Sequence, residues 1–155
     1  MPRRPRSTPQ GEHRPVLLEA VLAALAPRPG EVMVDCTLGF AGHALELLQR
    51  LGPTGRLIGL DLDAEHLPRA RERLQALGLP FEVRHSNFAG LPGILAELGL
   101  ERVDGVLADL GMSSMQVDDS QRGFSYAREG PLDMRMDRSR GRTAAQILAT
   151  ISEEE

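Results

Sequence analysis

The chain has 155 residues and a formal charge of −4, and all 18 of its basic residues are Arg. The absence of Lys excludes a Schiff-base lysine, a lysine general base and a P-loop Gly-Lys-Ser/Thr site. With no Trp, one Tyr and four Phe, the chain lacks the rings for a multi-aromatic single-strand-binding platform.

Residues 1–12 are rich in Pro and Arg and read as a disordered basic tail. From Pro15, which suits a first helical position, Val16, Leu17, Val21 and Leu25 mark a helical apolar stripe. Pro27, Pro29 and Gly30 end it. Val32 to Val34 form a short apolar run ending in Asp35, which predicts a buried strand. Residues 41–51 carry helical periodicity and stop at Gly52-Pro53. Leu57, Ile58 and Leu60 predict a second strand, ending in Asp61. Leu67, Ala70, Leu74 and Leu77 are in phase for a helix over 64–77. Pro68 means that either this helix starts near Leu67 or residues 64–67 form a separate turn.

Phe81 and Val83 predict a third strand, and Pro92 to Leu98 a short helix. Val103, Val106 and Leu107 predict a fourth strand, ending in Asp109. Residues 110–142 have little periodicity and much Gly, Ser, Asp and Arg. Thr143 is placed to cap a last helix, Ala144–Ile151.

This alternation predicts an α/β fold, a parallel sheet with crossover helices. Ligands of such sheets bind outside the carboxyl ends of the strands, where the strand order reverses. Asp35, Asp61 and Asp109 fall at three predicted strand ends, and a glycine turn follows the first. Four strands leave an open edge, so the expected domain is incomplete, truncated after strand four. Charge is unevenly spread: +3 over residues 1–14, −7 over 15–120, +3 over 121–142 and −3 beyond.

Cys36 is the only cysteine, which excludes an intramolecular disulfide and a cysteine zinc cluster. His13, His43, His66 and His85 lack ligand-like spacing, so no metal is expected. No signal peptide and no apolar run of membrane-spanning length is visible, and the chain reads as a soluble cytoplasmic protein.

The chemistry concentrates in a few segments. Residues 35–43 join a strand to a helix, where a ligand meets backbone amides, but they lack the full dinucleotide glycine pattern. Asp61 suits two vicinal ribose hydroxyls, since a carboxylate offers two oxygens to two donors. Asp63 is the alternative for that role, or a cap for the next helix. Asp109-Leu110-Gly111-Met112-Ser113-Ser114 follows strand four. Arg122-Gly123-Phe124-Ser125 and Gly130 to Met136 (GPLDMRM) follow it in one loop.

With His13 to Leu18 (HRPVLL), DCTLGFAGHA at 35–44, GLDLD at 59–63 and SNF at 86–88, these segments resemble one family in order and spacing. That family is the bacterial small-subunit ribosomal RNA cytosine-N4 methyltransferases (the RsmH or MraW family). The resemblance covers nearly all of this chain, and the chain about half of the family's length. It implies a Rossmann-like fold that uses S-adenosylmethionine. It also implies a cofactor site lined by Ala41, Gly42, His43, Asp61, Phe88, Asp109 and Gln116. Residues 13–114 then form the cofactor-binding half, and 115–155 begin an inserted substrate-recognition region.

Phe88 is expected either to stack on adenine or to cap the core. His43 is either a site residue or a surface histidine at a helix start. Gln116 is expected at the methionine end of the cofactor. Asp109 is the catalytic candidate, accepting a hydrogen bond from the cytidine amine, or else a cofactor ligand. Arg122, Phe124 and Arg135 are candidate RNA contacts, with Arg128 beside them, and pairing with Asp133 or Asp137 is the structural alternative for these arginines. The family often has Gly where this chain has Ala41, a change that matters if the position needs a positive φ. The implied partner is small-subunit rRNA or the assembling 30S subunit. The competing reading is a non-catalytic fragment that binds the cofactor or serves as an interaction module.

Overall fold

A computed structural model describes residues 15–152. The tail over 1–12 and His13 lie outside the described residues.

Four strands, β1 (Val32–Asp35), β2 (Arg56–Asp61), β3 (Phe81–His85) and β4 (Gly105–Leu107), form one parallel sheet in the order β3-β2-β1-β4. Val34 sits between Ile58 and Val106 in register. The chain adds strands in one direction from β1 to β3 and then crosses to the other side of β1. The order therefore reverses between β1 and β4, as a doubly wound sheet requires.

Successive strand residues point to opposite faces. Met33, Leu57 and Val83 look toward α1 (Leu18–Leu25), α2 (Gly42–Leu51) and α3 (Leu67–Gln75), where Leu22, Leu47, Leu48, Leu51, Ala70 and Leu74 complete one core. Val34, Ile58 and Leu60 look the other way, onto Ile94 of α4 (Leu91–Glu97). Gly59 shares the first face and leaves room for the buried Leu38 side chain, which crosses over it.

Two expectations change at the start of the chain. The helix begins at Leu18, not Pro15, and its core stripe is Leu18, Leu22 and Leu25. Val16 and Leu17 are exposed, and Leu17 takes a left-handed conformation, φ 56°, which stops the helix extending back. Pro15 instead packs its ring against Gly42. Pro68 falls in the first turn of α3, where its missing N–H costs nothing. β4 is shorter than expected, so Asp109 lies two residues beyond it. Helix α6 (Ala144–Leu148) is also shorter, but starts as expected: Thr143 accepts from Gln146 N at 3.2 Å. No helix among the described residues is long and apolar enough to cross a membrane.

A Gly59→Ala substitution would place its Cβ 2.8 Å from Leu38 Cδ1. It is expected to lower stability by about 1–3 kcal/mol through overpacking. Urea unfolding checks this: the midpoint falls with m unchanged, and Leu38→Ala in the same chain recovers part of the loss. An unchanged midpoint contradicts the packing described.

Candidate functional site at the carboxyl ends of the strands

The turns that leave β1 and β4 are sewn together. Asp35 is 1% exposed, and its Oδ1 accepts from Thr37 N at 3.0 Å and from the Thr37 hydroxyl at 3.4 Å. The same hydroxyl oxygen accepts from Asp109 N at 2.8 Å, and Cys36 N donates to Leu107 O at 2.8 Å. Burial pushes the Asp35 carboxyl up to about 7, with Asp61 and Asp109 adding like charge.

The β1–α2 turn is tight. Gly39 and Ala41 both have positive φ, 50° and 62°. Ala41 therefore stands in a conformation that costs an L-residue roughly 1–2 kcal/mol. Its methyl is fully buried beside the first core, which offsets part of that cost. A side chain at Gly42 would strike Pro15 Cγ at 2.9 Å, so its lack of one serves packing.

Asp61 ends β2. Its Oδ2 accepts from Gly39 N at 2.6 Å and its Oδ1 from Asp63 N at 2.7 Å. A carboxylate has about four acceptor sites. Two backbone amides thus orient this one while leaving capacity for two more donors. Asp63 is not a second ribose candidate. It is 2% exposed, its Oδ1 accepts from Glu65 N at 3.1 Å, and its Oδ2 accepts from Gln116 Nε2 at 2.8 Å. Arg122 completes it with an ion pair of 2.7 Å. Burial alone would raise the Asp63 carboxyl. The Gln116 hydrogen bond, the nearby His66 and Arg122 outweigh burial and hold it below the ordinary range.

Phe88 begins a 3-10 turn (Phe88–Gly90) after β3, which Asn87 caps by accepting from Gly90 N at 3.2 Å. Its ring is 57% exposed, so it is no core cap. Asp109 is also exposed, and its Oδ2 lies 3.9 Å from Nε2 of the buried His43. His43 is therefore not a surface histidine.

Residues 110–142, which show little periodicity in sequence, contain α5 (Ser114–Asp118) and a 3-10 turn (Ser120–Arg122). α5 opens on a capping box: Gln116 N donates to Ser113 Oγ at 3.2 Å and Ser113 N to Gln116 Oε1 at 2.9 Å. The pattern Ser-x-x-Gln was the available signal. Gln116 is buried with both ends of its amide engaged.

Arg122 departs most from expectation. It is 2% exposed, and besides Asp63 it donates to the carbonyls of Arg135 at 3.2 Å and Met136 at 3.1 Å. Its guanidinium is turned onto partners inside the protein rather than presented at the surface. Phe124 lies half-buried beside it, its ring 5.8 Å from the guanidinium. Arg135 forms the pairing alternative, gripping both oxygens of Asp133 at 2.8 Å. That fork holds the Asp133 carboxyl down to about 2. Arg128 pairs with Asp118, also at 2.8 Å.

A cleft of about 210 Å³ lies between Phe40, His66, Met115, Gln116 and Arg122, on this side of the sheet. A larger, shallow depression of about 660 Å³ lies at the amino ends of β1 and β4 and holds none of the expected side chains. The carboxyl ends are where a parallel sheet presents ligands, and they carry the candidate site.

Residues 10–155 match the family model described as the MraW methylase family. The chain belongs to that family. It is 51% identical over 143 residues to the ribosomal RNA small subunit methyltransferase H of Citrifermentans bemidjiense, covering 92% of this chain and 46% of that protein. The protein of the same name from Chromobacterium violaceum is 52% identical over 147 residues, with 95% and 46% covered. The chain thus spans about half the length of the curated relatives it matches. Among solved structures, TrmN from Thermus thermophilus superposes with a TM-score of 0.53 at 31% identity, covering 65% of this chain and 29% of that one. The C-terminal domain of precorrin-6Y C5,15-methyltransferase from Rhodobacter capsulatus gives 0.50 at 26%, covering 66% and 52%. The α/β fold is that of the Rossmann-like methyltransferases.

Within this MraW methylase chain, Asp35 supplies a pH test. The native state keeps a proton near pH 7 that the unfolded chain loses near pH 4. Its contribution to stability is therefore present below about pH 4 and is lost as pH rises toward 7, by roughly 2–4 kcal/mol. Asp35→Asn is expected to gain on the parent steadily from pH 4.5 to 7.5 in urea unfolding. A constant difference contradicts a proton held at Asp35.

Proposed function

We propose that this chain is the cofactor-binding half of an S-adenosylmethionine-dependent methyltransferase. It acts on the exocyclic N4 amine of a cytidine in small-subunit rRNA, in the cytoplasm, on the assembling 30S subunit. Residues 13–114 hold the cofactor and 115–155 begin the RNA-facing region.

The observation that carries the reading is Asp61: two amides orient its carboxylate and leave acceptor capacity for a vicinal diol. Asp61 takes the ribose hydroxyls. The exposed Phe88 ring stacks on adenine. The turn at Ala41, Gly42 and His43 would line the cofactor site, and Gln116 would hold the methionine end. When bound, S-adenosylmethionine supplies an electrophilic methyl on a positively charged sulfur. The acidic strand ends suit that cation.

The cytidine amine is a poor nucleophile because its lone pair is delocalised into the ring. The protein must therefore hold it in line and help its proton leave. Asp109 would accept a hydrogen bond from the amine; its carboxylate is exposed two residues beyond β4, 3.9 Å from His43 Nε2, which supports that role. The base must leave its stack, at a cost of a few kcal/mol. Phe124 and Arg135, in the loop after β4, are the RNA-side candidates.

A second reading is a chain that binds the cofactor without transferring methyl.

Calorimetry with S-adenosylmethionine tests the cofactor. Saturable heat is expected in the parent, and Asp61→Ala is expected to raise Kd at least tenfold, about 1.4 kcal/mol or more. No heat up to millimolar ligand removes both readings. Labelled methyl transfer to undermethylated small subunits separates them: transfer supports the first, and binding without transfer the second.

A further inference from the structure

One oxygen of Asp63 takes two side chains from the region after β4. Oδ2 takes Gln116 Nε2 from α5 and the Arg122 guanidinium from the following turn. Through its other terminal nitrogen, Arg122 holds the carbonyls of Arg135 and Met136. Met134 N returns to Arg122 O at 2.9 Å. Gly123, at φ 73°, makes the turn, and a Cβ there would collide with the carbonyl of Pro131. The segment has a second, separate tie: Asp137 Oδ2 lies 3.7 Å from His85 Nε2 at the end of β3.

Asp63 is also bonded backward. Its N–H donates to Asp61 Oδ1, the carboxylate assigned to the ribose. The route from that carboxylate to residues 113–137 is therefore one backbone turn and one buried side chain.

We infer that Asp63 and Arg122 are positioning residues that couple occupancy of Asp61 to the ordering of residues 113–137. The inference rests on the cofactor reading above. A diol on Asp61 fixes the carboxylate, the carboxylate fixes the Asp63 amide, and the Asp63 side chain fixes Gln116 and Arg122. Such coupling requires the ligand to favour the ordered state, and it is reciprocal. Cofactor binding then prepares the RNA-facing segment, and RNA binding tightens the cofactor site.

Hydrogen exchange of the 155-residue chain with and without S-adenosylmethionine tests it. In the parent, cofactor is expected to slow exchange both at 35–61 and at 113–137. In Asp63→Asn and in Arg122→Lys, protection at 35–61 persists and the response at 113–137 falls at least tenfold. Asp137→Asn loosens the same segment at a separate tie and is expected to keep the cofactor response. Protection confined to 35–61 in the parent overturns the coupling and leaves the cofactor reading standing. No protection at 35–61 removes both. Loss of the response in Asp137→Asn as well assigns Asp63 no special part, and also overturns it. In RNA-oligonucleotide titrations, Arg122→Lys and Arg122→Gln are expected to leave the slope of log K against log salt unchanged. A slope smaller by about one in Arg122→Gln marks a phosphate contact instead.

Discussion

A carboxylate and a guanidinium, both nearly inaccessible to water, meet between Asp63 and Arg122. Burying two charges is costly, and hydrogen bonds to the pair's remaining groups offset that cost. Here Gln116 and the Glu65 amide complete the carboxylate, and two carbonyls take one terminal nitrogen of the guanidinium, whose Nε–H is buried without a partner among the described residues. Those partners come from the β2–α3 turn, α5 and the loop after it. The conformation of residues 113–137 thus draws on polar contacts gathered around one carboxyl group.

The rest of the site follows from the sheet. Parallel strands put Asp35, Asp61 and Asp109 on one rim, and the reversal of order beside β1 opens a crevice there. Each carboxylate has a different state. Asp35 is desolvated and its carboxyl is pushed up to about 7, Asp61 is braced by amides, and Asp109 faces solvent. The Arg-rich loop does not simply oppose them as a basic patch. Arg122 is internal and Arg135 is clamped on Asp133. Both use the planar fork that an ammonium group lacks, which gives two of the arginines in this lysine-free chain a structural reason.

The strand–helix alternation was legible because the apolar runs are short, are bounded by Gly and Pro, and end in acids at Asp35 and Asp61. Pro68 even marked the start of α3. The first helix was misplaced because Val16 and Leu17 extend its apolar pattern, and only the left-handed backbone at Leu17 shows that they lie outside it. Periodicity is silent about residues 110–142, since side-chain to backbone bonds rather than an apolar face hold them. The two capping boxes are legible as Ser113-x-x-Gln116 and Thr143-x-x-Gln146, and the second confirms Thr143 as the cap of the last helix. Resemblance could propose Gln116 and Arg122 as site residues. It could not reveal that they meet on Asp63, because that contact joins residues 53 apart for Gln116.

The dependence of the loop on this ion pair is open to a direct energetic measurement. Asp63→Asn, Arg122→Gln and the double variant, unfolded in urea at pH 7, form a double-mutant cycle. Each single change leaves a buried group unpaired and is expected to cost roughly 3–5 kcal/mol, with a coupling of about 2 kcal/mol or more. Losses that add to within about 0.5 kcal/mol would contradict the account, because residues that do not interact behave that way.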